Sequence, residues 1–285
     1  MINIDELKNQ NAQLILENNE AFDLLKKLNQ KLKEADAFKS HFLSNISNEI
    51  INPFTSILGL SQNILSLGKQ DIEQIHSMAN HIYTEAFDLD FQLRNIFAAA
   101  KIESGENNLE LVNIQIKDFV EEIIGILSLK AERNSLYFEL NYSLDNETFV
   151  CDAGKLKMIL INLIMNAITF SEPKNKIGIY LESKKDGFKF SITNIGKIIS
   201  PEDSKLIFDR FTKLDTSINS INQGHGLGLS IIKDYVELLE GEISLLSNKK
   251  SGTTFGIKLP RLKSKEGDLF IDNEDIFMDS ESDLF

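Results

Sequence analysis

From Ile4 onward, alternating steps of three and four residues reach Leu7, Asn11, Leu14, Asn18, Ala21, Leu25, Leu28, Leu32, Ala35, Lys39 and Phe42, and nine of these twelve positions are apolar. A period of 3.5 residues held this long is the pattern of helices wound around one another. No Pro or Gly occurs before Pro53, so nothing in the stretch forces a break. The reading is a parallel two-stranded coiled coil over residues 1–37, continuing without interruption into the segment that follows. Asn11 and Asn18 stand at the first core position of successive heptads, where they cost stability but favour a dimer in one register. The alternative, an amphipathic helix lying on its own domain, asks for a wider apolar face.

With 285 residues, 42% hydrophobic and 26% charged, the chain has enough material for one or two cores. Its single cysteine, Cys151, rules out an internal disulfide framework and fits a reducing compartment. No secretory leader is evident, since the first residues are polar and acidic. The most apolar run, Met158 to Phe170, is shorter than the roughly 20 residues a bilayer span needs and contains Asn. A soluble, cytoplasmic chain is expected, or the cytoplasmic part of a larger sensor. The net charge of −13 repels nucleic acid and anionic membranes alike. Much of that charge is local, because the last 20 residues hold eight Asp or Glu and no Lys or Arg.

Beyond the seam, a helix continues past Pro53, where a bend is expected, through Ile57, Leu58, Leu60 and Ile64 to a turn near Gly68. A second helix over about 71–104 carries Ile72, Ile75, Met78, Ile82, Phe87, Phe91, Leu93 and Ile96, and Gly105 supplies its left-handed cap. Two such hairpins, spanning 38–106, make a four-helix bundle in the dimer. Residues 107–262 mix helices (117–134, 155–169, 227–240) with strands (137–142, 148–151, 177–182, 188–193, 243–247, 253–259), which fits an α/β sandwich. Asp152 stands where a helix cap belongs, and Lys185-Asp186-Gly187 where a hairpin turns. The tail, 263–285, repeats Asp268-Leu-Phe270, Asp275-Ile-Phe277 and Asp283-Leu-Phe285. Its acidity predicts disorder in isolation, as a solvating tail or a docking peptide.

Two patterns carry chemistry. Gly224-His-Gly-Leu-Gly228 opens a helix, so backbone donors approach phosphate oxygens while the helix N-terminus adds favourable potential. His225 and Lys233 stand near this loop, exposed or against phosphate. Asn162 and Asn166 lie four apart and share a helix face.

These motifs, in this order, resemble those of sensor histidine kinases. Phe42, Leu43, Asn45, Ser47, Glu49, Ile50, Asn52, Pro53 and Phe54 match the phospho-acceptor segment, and Lys101-Ile-Glu-Ser-Gly105 matches the end of the following helix. The acceptor position is Asn48 rather than histidine, and in the continued register it faces away from the seam, toward solvent. Residues 162–171 resemble the asparagine box, in which the resemblance gives Asn166 the Mg²⁺ and Asn162 a lesser nucleotide role. Asn194 and Gly196 occupy the first glycine box, where Asn194 replaces the Asp that accepts from the adenine amino group and Ile198 replaces a second Gly. Phe208 and Phe211 match the phenylalanine box beside a lid over about 212–223. Gly224, Gly226 and Gly228 form the second glycine box, and Thr254 falls in the ending placed beside adenine. Ile51 and Thr169 stand where Arg and Lys are usual.

The resemblance implies a dimeric, ATP- and Mg²⁺-dependent protein-histidine kinase core of a two-component system, a transferase whose partner is a response-regulator receiver domain. Glu49 would act as base and Asn52 would orient water or the partner's phosphate. An amide nitrogen has a delocalised lone pair and is a very poor nucleophile, so self-phosphorylation at Asn48 is expected to be absent. His41, one heptad earlier, lacks the following Glu and Asn. The alternative is a pseudokinase scaffold that dimerises and regulates a partner kinase or response regulator without phosphoryl transfer.

Overall fold

The computed structural model describes residues 50–106, 108–145, 147–184, 187–212 and 226–261, with 14–15, 18–19, 21–22, 25–26 and 29 nearer the N-terminus. It divides into two units, residues 1–56 and 57–285. Most of the predicted coil, His41, Asn48, Glu49, the Lys185-Asp186 turn, the lid from 213, Gly224, His225 and the acidic tail lie outside the described residues.

In the first unit the described seam residues Leu14, Asn18, Ala21 and Leu25 are helical and exposed, Leu14 by 62% and Leu25 by 64%. Helix α1 covers residues 50–66 and contains Pro53 near its described start. A short 3₁₀ turn, Lys69–Asp71, leads into α2, Ile72–Ser104. Asp71 Oδ2 accepts from the Gly68 N–H at 3.0 Å and fixes that turn. Gly105 closes α2 in the left-handed conformation, φ 75°, its N–H donating to the Ile102 carbonyl. Of the apolar residues predicted for this helix only Ile96 is buried, Ile72 is exposed, and the others are half-buried.

The second unit continues with β1 (Leu111–Gln115), α3 (Ile116–Arg133), β2 (Tyr137–Leu144), β3 (Thr148–Asp152) and α4 (Ala153–Phe170). After these come β4 (Lys176–Lys184), β5 (Gly187–Asn194), a single turn α5 (Asp203–Leu206), α6 (Gly228–Leu238), β6 (Glu242–Asn248) and β7 (Gly252–Pro260). The five-stranded sheet runs β2-β4-β5-β7-β6, with β2 parallel to β4 and the other pairs antiparallel. Strands β1 and β3 form a separate antiparallel pair, and the Phe149 ring on β3 meets Phe188 on β5 at 5.4 Å.

Alternation decides which sheet face is covered. Ile177, Ile179 and Leu181 on β4, Phe188, Phe190 and Ile192 on β5, and Phe255, Ile257 and Leu259 on β7 are buried in one register, while Tyr180, Lys184, Lys189 and Lys258 on the other face are exposed. Helices α3, α4 and α6 supply the opposite half of the core with Phe119, Ile123, Leu127, Leu156, Leu160, Leu163, Ile231 and Val236. At 18 residues α4 is long and apolar enough to span a bilayer, longer than the run expected from the sequence, yet more than half of it is buried in this core. It starts where Asp152 was expected to cap it, with Oδ1 accepting from the Lys155 N–H at 2.9 Å.

The second half of α2 lies along the outer side of this helical layer. Lys130 and Arg133 of α3 donate to Asp88 and Thr84 of α2. Asn95, Ile96, Ala98 and Ala99 are buried where α2 meets the domain.

Candidate nucleotide site

Helix α4 meets the segment past β5 at its C-terminal end and the start of α6 near its middle. Ser171, just past α4, forms an antiparallel bridge with Gly196, two residues beyond β5. Gly226 has φ 69°, a conformation that side chains rarely adopt, and a Cβ there would lie 2.8 Å from the Phe211 carbonyl carbon. A Cβ on Gly228, the first residue of α6, would lie 2.5 Å from Asn162 Oδ1. Gly226 is thus required by its backbone conformation and a close backbone neighbour, and Gly228 lies close against the Asn162 side chain.

Asn162 is 2% exposed, and its Nδ2 donates to Asn95 Oδ1 at 2.8 Å and to the Met158 carbonyl at 2.9 Å. Asn166, one turn later, is half-buried, and its Nδ2 is buried with no hydrogen-bond partner among the described residues. The same is true of Asn194 Nδ2, on a residue 4% exposed at the end of β5. A buried donor left unpaired costs about 1–3 kcal/mol, which makes each amide a candidate to meet an acceptor from a ligand. Beside Asn194, the hydroxyls of Thr193 and Thr254 are 2.8 Å apart across the β5–β7 pair.

Phe208 and Phe211 are half-buried, and the Phe211 N–H donates to the Gly226 carbonyl at 2.9 Å. Phe211 itself holds φ 64°, a left-handed conformation that costs a non-glycine residue about 1–3 kcal/mol. Between these two residues in the chain, Arg210 donates from Nη1 to Glu103 Oε1 of α2 at 2.6 Å and from Nη2 to Asp234 Oδ2 of α6 at 3.1 Å. Sequence reasoning passed over Asn95, Glu103 and Arg210 as site components: Glu103 and Arg210 lie inside matched motifs, but the partners that join them and Asn95 to the site are 67 and 107 residues away. Burial pulls the Lys157 ammonium, on α4, below the usual lysine range, and burial pushes the Glu122 carboxyl of α3 above the usual carboxylate range.

Of the remaining predicted positions, Asn52 is exposed on α1, Thr169 and Lys233 are exposed, and Gly196 and Ile198 are half-buried. No group of three or more His, Cys, Asp or Glu among the described residues could hold a metal ion. Asn166 nonetheless fits Mg²⁺ together with phosphate, since its carbonyl oxygen is a hard donor and its unpartnered Nδ2 can donate to a phosphate oxygen.

Residues 151–263 match the family model described as histidine kinase-, DNA gyrase B- and HSP90-like ATPase. The domain is like the catalytic domains of histidine kinases. Among curated relatives, the circadian input-output histidine kinase CikA of Synechococcus elongatus is 28% identical over 236 residues, covering 79% of this chain and 30% of the relative. The heme sensor protein HssS of Staphylococcus aureus is 29% identical over 234 residues, covering 82% of this chain and 50% of the relative. The chain therefore spans half or less of the length of either relative. Among solved structures, the Acinetobacter baumannii histidine kinase AdeS aligns with TM-score 0.51 at 24% identity, covering 75% of this chain and 98% of that one. Full-length ShkA in complex with AMPPNP aligns with TM-score 0.56 at 20% identity, covering 78% and 46%. These two likenesses bear on the fold alone, a helical region followed by an α/β domain. The family match and the sequence relatives make residues 151–263 similar to the catalytic domain of histidine kinases.

Proposed function

We propose that this chain is the dimeric, cytoplasmic core of a two-component sensor kinase that binds ATP with Mg²⁺ and engages a response-regulator receiver domain, but does not phosphorylate itself at Asn48. The observation that carries the nucleotide assignment is the pair of buried amide nitrogens, Asn166 Nδ2 and Asn194 Nδ2, that have no partner among the described residues, Asn166 lying one helical turn beyond the Asn162 that meets Gly228. Asn166 would hold Mg²⁺, which when bound neutralises charge on the phosphates. Asn194 would pair with the adenine edge, since an amide offers both a donor and an acceptor. Gly226 and the N-terminus of α6 would receive phosphate oxygens.

Support for the dimer comes from apolar side chains without cover. Leu14 and Leu25 lie on the predicted seam, and Ile51, Phe54, Leu58 and Leu65 on α1 are each at least 51% exposed at spacings of three, four and seven. Such a stripe on a helix is what a second copy would cover.

In the reaction proposed for the family's acceptor, the bond between the γ-phosphorus and the bridging oxygen of ATP breaks, ADP leaves, and a nitrogen–phosphorus bond forms on an imidazole ring. Glu49 would take the ring proton. Asn48 supplies no such nitrogen. The deciding experiment is Asn48→His in the full chain, incubated with γ-labelled ATP and Mg²⁺. Acid-labile, alkali-stable label on the variant and none on the parent chain is expected. Measurable ATP affinity without label would favour the second reading, a pseudokinase scaffold that regulates a partner kinase or response regulator, and absence of ATP binding would remove the kinase reading altogether.

A further inference from the structure

Asn162 is built into the interior and its amide nitrogen is fully used there, one hydrogen going to Asn95 of α2 and the other to the Met158 carbonyl. Its oxygen is aimed at the backbone of Gly228, where a Cβ would come within 2.5 Å. Asn95 is itself 5% exposed. A continuous contact therefore runs from α2 through one side chain of α4 to the glycine that starts α6. A second contact runs beside it. Glu103, two turns further along α2, accepts from Arg210, which also holds Asp234 of α6, and the adjacent Phe211 binds the Gly226 carbonyl. Gly228 is thus backed by a residue bonded to α2, and Gly226 by the chain neighbour of one.

We infer that Asn95 is a positioning residue for the nucleotide loop: it acts through Asn162 on Gly228, so the docking of α2 and the binding of nucleotide are coupled. The inference rests on the nucleotide site proposed above. If α2 withdraws, Asn162 loses a buried acceptor and its amide turns to find another. The oxygen then leaves Gly228, and the loop loses the surface that sets its position. Coupling of this kind is reciprocal, so nucleotide that holds the loop must also hold α2 in place.

The test uses the full chain and ATP with Mg²⁺. Loss of one buried hydrogen bond predicts that Asn95→Ala binds ATP about 3- to 10-fold more weakly. Asn95→Asp, which keeps an oxygen acceptor, should recover most of that affinity. Hydrogen exchange separates positioning from simple stability: ATP should slow amide exchange over residues 92–100 of α2 in the parent chain and have little effect there in Asn95→Ala. Equal affinity in the two proteins, or equal ATP-induced protection of α2, overturns the inference and leaves the nucleotide site standing. If the parent chain does not bind ATP, both fall together. Should Asn95→Ala fail to fold, the exchange comparison between parent and Asn95→Asp decides, with ATP-induced protection of α2 expected in both and its absence from both counting against coupling.

Discussion

Cys151 and Asp152 show how adjacent residues at one strand end do unlike work. The Asp152 carboxylate, its side chain 7% exposed, receives the Lys155 and Glu110 N–H groups and pairs with Lys155 Nζ at 2.7 Å. It joins the start of α4 to the segment that leads into β1. Cys151 points into the core, and burial first, with the Asp152 charge second, pushes its thiol from 9.0 up to about 12. Since the thiolate is the reactive form, the native protein at pH 8 should resist iodoacetamide and be alkylated promptly in urea, as mass spectrometry would report. The folded pKa lies above the unfolded one, so folding favours the protonated thiol. Its contribution to stability is complete below about pH 9 and falls as pH rises toward 12. Cys151→Ala should flatten that fall in urea midpoints, and rapid alkylation of the native chain would contradict the burial.

At the scale of elements, the junction of α4 with α6 is packed tightly enough that one methyl group should be felt. Gly228→Ala places a Cβ against Asn162 Oδ1, and overpacking of this kind costs about 1–3 kcal/mol. The urea midpoint should fall accordingly with an unchanged slope. Removing the opposing amide as well, in Gly228→Ala with Asn162→Ala, should cost less than the sum of the single changes, because the methyl then has room; additivity would mean that the two residues do not press on one another. The elements that make this junction were largely legible in the sequence. Alternation in residues 177–193 gave away the β4–β5 hairpin, and Asp152 and Gly105 marked helix ends by local chemistry that acts within four residues. What could not be read was non-local. The parallel pairing of β2 with β4 is set by tertiary packing, and nothing around Asn95 distinguishes a buried polar contact from a solvent-facing asparagine. Asn162 was expected to have a lesser nucleotide role, and the commitment of its Nδ2 to Asn95 and Met158 was not foreseen.

For the whole molecule, the open question is what covers the apolar helical surface. Leu14, Phe22 and Leu25 near the N-terminus and Phe54, Leu58 and Leu65 on α1 are all more than half exposed, which a single chain of net charge −13 tolerates only at a cost in solubility. Each Leu left in water forgoes about 1.5–3 kcal/mol relative to burial, so a second copy winding along the seam gains enough to offset the entropy of association. The full chain should sediment as a dimer, twice its 32.3 kDa, at micromolar concentration. Leu25→Lys with Leu28→Lys places two like charges in each strand of the proposed seam, and in a parallel pair these face their own copies across the axis. The variant should dissociate at least tenfold more readily and regain dimer as salt screens the repulsion, while its ATPase domain keeps the parent melting temperature. A monomeric parent chain would return the N-terminal helix to the other reading, an amphipathic segment lying on its own domain.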